Sequence, residues 1–279
     1  MVGFRFHPTS LSGLEVVSAT SAHVFPKHTH DTYGIGFLSA GGQISASGRG
    51  QVEAQPGQLI TVNPSEVHDG APIGRTPRSW HMLYLTPALL TDSVSDLVSS
   101  ISDLEFECPV FTDANIRNHL TALHRRFDHG SEDLASDALQ EVLVLVLGKA
   151  LLRRREAIPA LPASLARVRQ RLDEDPTTLA DLSDLAREAG LSRFQLIRAF
   201  LRHTGLTPHA YRMQSRASLS RRLLMEGLLP AEVAAACGYV DQSHMHREFR
   251  RRFGLTPGAY RSAYRSARFG RNRVQDESA

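Results

Sequence analysis

Short apolar or alternating runs, each closed by a Gly or Pro turn, fill the first ~110 residues, a pattern of several short β-strands rather than of helices. The clearest are Tyr33–Leu38, Gly42–Ala46, Gln58–Val62 and Trp80–Leu85. Gln55-Pro56-Gly57-Gln58 and Asn63-Pro64-Ser65-Glu66 read as turns, because Pro presets φ and Gly accepts positive φ. Such strands predict a sandwich or barrel. From Asn115 the period becomes helical. Leu120, Leu123 and Phe127 mark one helix, and Leu134, Ala138, Leu139, Val142, Leu145 and Val146 mark another after His129-Gly130-Ser131. The predicted helices run about 115–128 and 132–155. The second is apolar beyond a single stripe through Val142–Leu147, so it buries more than one face. A contact between subunits and packing on the chain's own strands both remain open for it.

Residues 153–164 hold three successive arginines and then Ile158-Pro159-Ala160-Leu161-Pro162, which neither a helix interior nor a central strand tolerates. This segment is read as a linker. Beyond it the chain is helical throughout, with helix ends at Asp175-Pro176, Ala189-Gly190, Thr204-Gly205, Glu226-Gly227, Cys237-Gly238 and Phe253-Gly254.

That helical half contains a repeat. Phe200–Arg212 (FLRHTGLTPHAYR) and Phe249–Arg261 (FRRRFGLTPGAYR) match at nine of thirteen positions, which chance does not produce. Ahead of each copy stands a stretch with small residues, Ala186 and Ala189 or Ala234–Ala236, then a turn at Gly190 or Gly238 and a polar, Arg-bearing segment. Each unit is therefore a helix-turn-helix whose second helix can project polar side chains into a ~12 Å major groove.

Composition narrows the class. In 279 residues, 42% are hydrophobic and 22% charged, which excludes a globally disordered or collagen-like chain. The longest apolar stretch, Val142–Leu147, falls far short of the ~18 residues of a membrane span, and Met1–Ser10 shows no secretory pattern. Cys108 and Cys237 form no metal-type pair, and a reduced cytoplasm fits. Charge is split along the chain: residues 1–159 carry 12 Lys+Arg against 17 Asp+Glu, residues 160–279 carry 20 against 12. Every base in the second half is arginine, whose planar fork suits phosphate oxygens and the guanine edge.

The pattern LxxLAxxxGLSxxxLxRxFxxxxGxxPxxY, a linking helix with RxxxxxxLL, and a second copy running from Val233-Ala234 through Gly238-Tyr239 and Asp241-Gln242-Ser243 to Tyr260-Arg261 resemble the AraC/XylS family of transcription regulators. The resemblance covers about Leu165–Arg261. Val233 stands in place of the usual Ile, and Met245-His246 where Phe and a small polar residue are common. The resemblance implies that the second helix of each unit enters one of two consecutive major-groove segments, held apart by a linking helix at about 208–226. The residues it puts at DNA are Arg193, Phe194, Gln195, Ile197 and Arg198 in the first unit, and Gln242, Ser243, His244, His246, Arg247 and Arg251 in the second. Gln195 and Arg198 are expected to face bases; Arg250, Arg251 and Arg252 are expected to neutralise phosphates.

In the strand-rich half, His28-Thr29-His30 places two imidazoles on one face of a strand, and His68 follows the Asn63–Glu66 turn. With Pro56-Gly57 and Pro64-x-x-x-His68, this resembles a small cupin barrel over about residues 14–87, a domain that AraC/XylS regulators carry for their effector. Three histidines could ligate Zn²⁺, Fe²⁺ or Ni²⁺, bind an organic effector, or be structural. The carboxylate that enzymatic cupins place after HxH has no counterpart near Tyr33-Gly34. Tyr33 and Trp80 complete the expected effector site with His28, His30 and His68.

The expected architecture is α+β: a cupin-like sensor and dimerisation domain over 1–157, a linker over 158–164, a DNA-binding domain over 165–265 with helix-turn-helix units at about 179–204 and 230–253, and a tail over 266–279. The expected function is an effector-responsive transcription regulator, an activator in the cytoplasm. Its expected partners are double-stranded DNA, a small-molecule effector, RNA polymerase and a second copy, with no membrane, no catalytic residue and no cofactor beyond an optional divalent metal. A cupin metalloenzyme of dioxygenase or isomerase type with an attached DNA-binding domain, and a regulator that needs no ligand, are the rival readings.

Overall fold

The computed structural model describes residues 3–47, 50–94, 104–129, 135–148, 152–154, 161–177 and 181–269. Residues 158–160 of the predicted linker, and the tail beyond 269, lie outside them. Two compact units emerge, one of residues 1–24, 29–156 and 263–279, the other of 25–28 and 157–262.

β3 (Phe25–His28) falls in the second unit; the first is built from β1 (Gly3–His7), β2 (Leu14–Ser21), β4 (Tyr33–Ala40), β5 (Gln43–Ser47), β6 (Gly50–Ala54), β7 (Leu59–Val62), β8 (His68–Pro72), β9 (Arg78–Leu85), α1 (Pro87–Val94), β10 (Leu104–Phe106), β11 (Val110–Phe111), α2 (Ala114–His129), α3 (Ala135–Gly148) and β12 (Leu152–Arg154). One sheet has the order β1-β2-β9-β4-β7-β11, and another contains β8-β5-β6 in that order. The pairs β1·β2, β2·β9, β4·β9, β4·β7 and β5·β6 are all antiparallel. The central strand β4 is buried on both faces from Tyr33 to Leu38, which is why it reads as a continuous apolar run. Gly36 is required there, because a Cβ would collide with the His81 carbonyl and the Met82 sulfur of β9.

Strand alternation splits the side chains of the six-stranded sheet. Leu14, Val16, Tyr33, Ile35, Phe37, Leu83 and Leu85 share one core with Ile116, Leu120, Leu123 and Phe127 of α2 and Ala138, Leu139, Val142, Leu143 and Val146 of α3. The apolar face of α3, one of whose two readings was a subunit contact, is thus used within the chain. The helix predicted to run to 155 is found as Ala135–Gly148. Residues 152–154 instead pair antiparallel with Leu104–Phe106, so their backbone groups are satisfied by a strand partner rather than by another helical turn.

The second unit holds α4 (Ala163–Glu174), α5 (Leu182–Ala189), α6 (Arg193–Thr204), α7 (Pro208–Glu226), α8 (Pro230–Ala236), α9 (Gln242–Phe253) and most of α10 (Pro257–Phe269). The sequence repeat is a repeat of local physics. Gly205 and Gly254 close α6 and α9 in the left-handed region at φ 75° and 73°. Thr207 and Thr256 accept from the amides of Ala210 and Ala259, both at 3.2 Å, and Pro208 and Pro257 open the following helices. Tyr211 then meets Phe200 edge-on at 5.5 Å, and Tyr260 meets Phe249 at 5.4 Å. Leu165, Val168 and Leu172 of α4 pack with Leu185, Ala186 and Ala189 of α5 and Leu196 and Phe200 of α6. Small residues at 186 and 189 let those helices approach closely.

Candidate functional site

Each helix-turn-helix presents the amino-terminal end of its second helix. Ser192 caps α6 in a capping box, its Oγ accepting from the Gln195 amide at 3.3 Å while the Ser192 amide donates to Gln195 Oε1 at 2.9 Å. In α9, Asp241 accepts from the His244 amide at 2.6 Å. These caps set the helix starts. Leu196 and Phe200, like Met245 and Phe249, face inward and are fully buried. The exposed face therefore carries Arg193, Phe194, Gln195 and Arg198 on α6, and Gln242, Ser243, Arg247, Arg250 and Arg251 on α9.

Arg198 and Arg247 occupy equivalent positions of the repeat, and both are exposed. The Arg198 guanidinium lies 5.6 Å from the ring centre of Phe194, itself 68% exposed, so the aromatic face holds the charge forward. Other expected contacts are placed less freely. Gln195 uses its carbonyl oxygen in the capping box, which leaves its amide nitrogen as donor and withdraws the paired donor–acceptor edge that reads adenine. Ile197 is half-buried, lining a cleft of about 370 Å³ with Leu172, Leu185, Thr207 and Arg212. His244 is half-buried edge-on to Tyr239 at 5.4 Å, and His246 is half-buried with Nε2 enclosed.

Of the three consecutive arginines, Arg252 does not reach the surface. It is 5% exposed and bonded to Glu248, which also lies 3.9 Å from Arg251. Burial alone would raise the Glu248 carboxyl, but the Arg252 hydrogen bond and the charges of Arg252 and Arg251 outweigh it and lower its pKa. Arg252 is thus a structural charge, and of the three only Arg250 and Arg251 are exposed.

In the strand-rich unit, His30 and His68 come together, whereas His28 falls in the other unit. The rings of His30 and His68 are 5.1 Å apart. His28 Nδ1 lies 2.8 Å from the Pro26 carbonyl and His68 Nδ1 3.0 Å from the Glu66 carbonyl. A carbonyl only accepts, so both Nδ1 atoms carry the proton and both Nε2 atoms carry the lone pair. Burial lowers the His68 pKa, which keeps the ring neutral. The turn between the histidines is fastened from two sides: the Ser65 amide donates to the His30 carbonyl at 2.7 Å, and the Asn63 side chain bonds both backbone groups of Phe106, at 2.6 and 3.1 Å.

Tyr33 does not join this group. Its ring lies in the core beneath α2 and α3, and its hydroxyl donates to the Leu104 carbonyl at 2.6 Å. The next residue, Gly34, pairs with Tyr84, so Tyr33 and Tyr84 point to opposite faces of the sheet, and it is Tyr84 that meets His30, at 5.3 Å. The signal for Tyr84 was present, since it shares a strand face with Trp80 four residues earlier. Trp80 itself is buried, at about 13 Å along the strand from Tyr84, in contact with Phe4 and the Arg78 guanidinium. Arg78, fully buried, donates to Gln43 and to the carbonyls of His23 and Gly70, and burial lowers its pKa to about 10.

Known proteins place both halves. A profile for AraC-like ligand-binding domains matches residues 12–144, and one for a helix-turn-helix domain matches 185–263. The uncharacterized HTH-type transcriptional regulator YbfI of Bacillus subtilis is 28% identical over 227 residues, 79% of this chain and 81% of that protein. An apo point variant of ToxT from Vibrio cholerae shares the fold with a TM-score of 0.59 at 13% identity, over 92% of this chain and 99% of the other. Wild-type ToxT bound to an unsaturated fatty acid has a TM-score of 0.56 at 14% identity, over 97% and 96%. No helix among the described residues is long and apolar enough to cross a membrane.

Proposed function

The chain belongs to the AraC family of transcription regulators and is a ligand-responsive DNA-binding protein, and from that premise we propose that α6 and α9 read two successive major-groove segments while His30 and His68, with Tyr84, receive the effector. One observation carries the DNA reading: the two units repeat not only sequence but caps, inward residues and an exposed arginine at the same position, Arg198 and Arg247. The helix α7 between them has 19 residues. That is about 28 Å of helix, close to the ~34 Å of one DNA turn. Arg198 and Arg247 address guanine edges, Arg193, Gln242 and Ser243 flank them, Gln195 donates a single bond, and Arg250 and Arg251 neutralise phosphates. Phe194 supports Arg198, while Ile197, His244 and His246 shape the helices from behind.

The protein works in the cytoplasm as a homodimer and activator that engages RNA polymerase, and it is not an enzyme. The resemblance of the whole chain supports these readings, and the histidine group has no carboxylate among the described residues to serve the rival dioxygenase or isomerase chemistry. Dimerisation falls to a surface other than Leu143 and Val146, which the core already uses. Binding selection from a random duplex pool at physiological salt tests the DNA reading. The expected product is a site of two short blocks about one helical turn apart, one degraded by Arg198→Ala and the other by Arg247→Ala. A pool that returns no enriched sequence overturns it.

A further inference from the structure

We infer that the cleft between α4, α5, α6 and α7 of the helical unit binds an apolar monocarboxylate, its hydrocarbon body against leucine and isoleucine side chains and its carboxylate on Arg212. The site belongs to the helical unit alone and is separate from the effector reading of the strand-rich unit. Three features carry it. The cleft has a volume of about 370 Å³, within the ~300–1,000 Å³ of small-molecule sites. Its walls are apolar: Leu172 of α4 and Leu185 of α5 are buried and form the floor, and the half-buried Leu182 of α5 and Ile197 of α6 form the sides. Its polar end is basic, because Arg212 lines the cleft from α7, half-buried and with Nε shielded from solvent.

The charges along the lining set the class of ligand. Burial, and then the neighbouring Arg216 guanidinium, lower the Arg212 pKa, yet an arginine stays charged at neutral pH. A partly desolvated guanidinium gains most from a carboxylate, which matches its planar fork and offsets its charge. Burial and the Arg212 charge also lower the pKa of His209, one turn earlier on α7, so that ring is neutral at pH 7 and above. Arg216 is committed elsewhere: it is buried and donates to the carbonyls of Pro176 and Thr177. Asp181, the one acid among the described lining residues, is exposed and caps α5 by accepting from the Ser183 amide at 3.3 Å. A second acid group on the ligand would meet that carboxylate, so the ligand carries one. A phosphate of a duplex would satisfy Arg212 but leave the leucine and isoleucine walls in water, whereas a molecule with an apolar body and a single carboxylate uses both. Ile197 immediately precedes Arg198, so the site adjoins the helix that reads DNA.

Ile197 is the only isoleucine in residues 161–279, so in the full chain labelled at isoleucine δ1 methyls one magnetic-resonance signal, assigned with Ile197→Val, reports the cleft. The probe is 4-phenylbutyrate, with its neutral amide as control. The expected result is a saturable shift of the Ile197 methyl with the acid, at least ~10-fold weaker binding of the amide, and a loss of similar size in Arg212→Gln. Arg212→Lys, which keeps the charge without the fork, should fall between. The acid and amide are compared on the parent protein, so that comparison decides the matter even if Arg212→Gln fails to fold. His30→Gln should leave the shift unchanged, which separates the cleft from the effector site of the strand-rich unit. An Ile197 signal that the acid does not move, equal affinity for acid and amide, full affinity in folded Arg212→Gln, or a shift that His30→Gln abolishes overturns the site.

Discussion

Acidification should loosen the strand-rich unit through His124, and the effect can be sized. His124 projects from α2 into the core, 4% exposed, with neither ring nitrogen bonded among the described residues. It is edge-on to Phe37 of β4 at 6.1 Å and to His81 of β9 at 5.3 Å, and His7 of β1 is 5.8 Å away. Ser18 of β2 bridges His7 and His81 at 2.8 and 2.7 Å, and Asp128, paired with Arg5 at 2.9 Å, lies 3.1 Å from His7 Nδ1. Burial first, and then the neighbouring His81 and His7, lower the His124 pKa from 6.5 to about 3. The unfolded chain therefore takes up a proton before the folded one does. Full stability holds above pH 6.5 and is lost progressively as the pH falls towards the folded-state value. At pH 5 the loss is about 2 kcal/mol, and it changes by only a few tenths for any folded value below about 4, because at pH 5 the folded ring is neutral in every such case.

The perturbation is His124→Phe, which keeps a ring against Phe37 and removes both buried nitrogens. Urea unfolding of the full chain, followed by the emission of Trp80, reports this unit alone, because Trp80 is the only tryptophan. The variant should be at least as stable as the parent at pH 8. Between pH 8 and pH 5 it should lose about 2 kcal/mol less than the parent, the remaining slope coming from His7 and His81, whose pKa values burial also lowers. Equal losses in the two proteins would refute the reasoning and place a hydrogen-bond partner or water at the His124 nitrogens.

Further outcomes follow from other parts of the molecule. Arg198→Ala should cost about 1–3 kcal/mol of operator affinity and relax one base position, whereas Arg251→Ala should weaken all duplexes alike and flatten the salt dependence by about one phosphate; binding isotherms at several salt concentrations separate the two. Leu143→Glu should unfold the strand-rich unit by burying a charge, while Val144→Glu, on the exposed side of α3, should change its stability by less than ~0.5 kcal/mol in the same urea assay. Thr207→Ala and Thr256→Ala should each cost about 1 kcal/mol in the helical unit by removing equivalent caps, measured by thermal unfolding; unequal costs would show that the repeat is not energetically symmetric.

What the sequence determined by itself is mostly local. The Gly-Leu-Thr-Pro stretches specify a left-handed helix end, a cap and a new helix within four residues, and Tyr211 and Tyr260 reach their partners on the adjoining helix, so the duplicated DNA-binding unit was readable down to its inward residues. Short apolar or alternating runs between turns marked β4, β7 and β9, and the helical period marked α2 and α3, because run length, turn residues and the 3.6-residue repeat are properties of the chain alone. The tertiary structure decided what depends on residues distant along the chain. Only the pairing of Gly34 with Tyr84 settles that Tyr33 faces the helices and Tyr84 the histidines. Leu143 and Val146 looked equally fit for a partner or for the chain's own sheet, since apolar surface does not say what will cover it. Residues 152–154 became a strand by pairing with Leu104–Phe106, nearly fifty residues earlier, and Arg252 turned from a phosphate contact into a buried ion pair because Glu248 sits one helical turn away. Secondary structure follows from neighbours in sequence, whereas the face a side chain presents and the partner it meets follow from which strands and helices lie beside it.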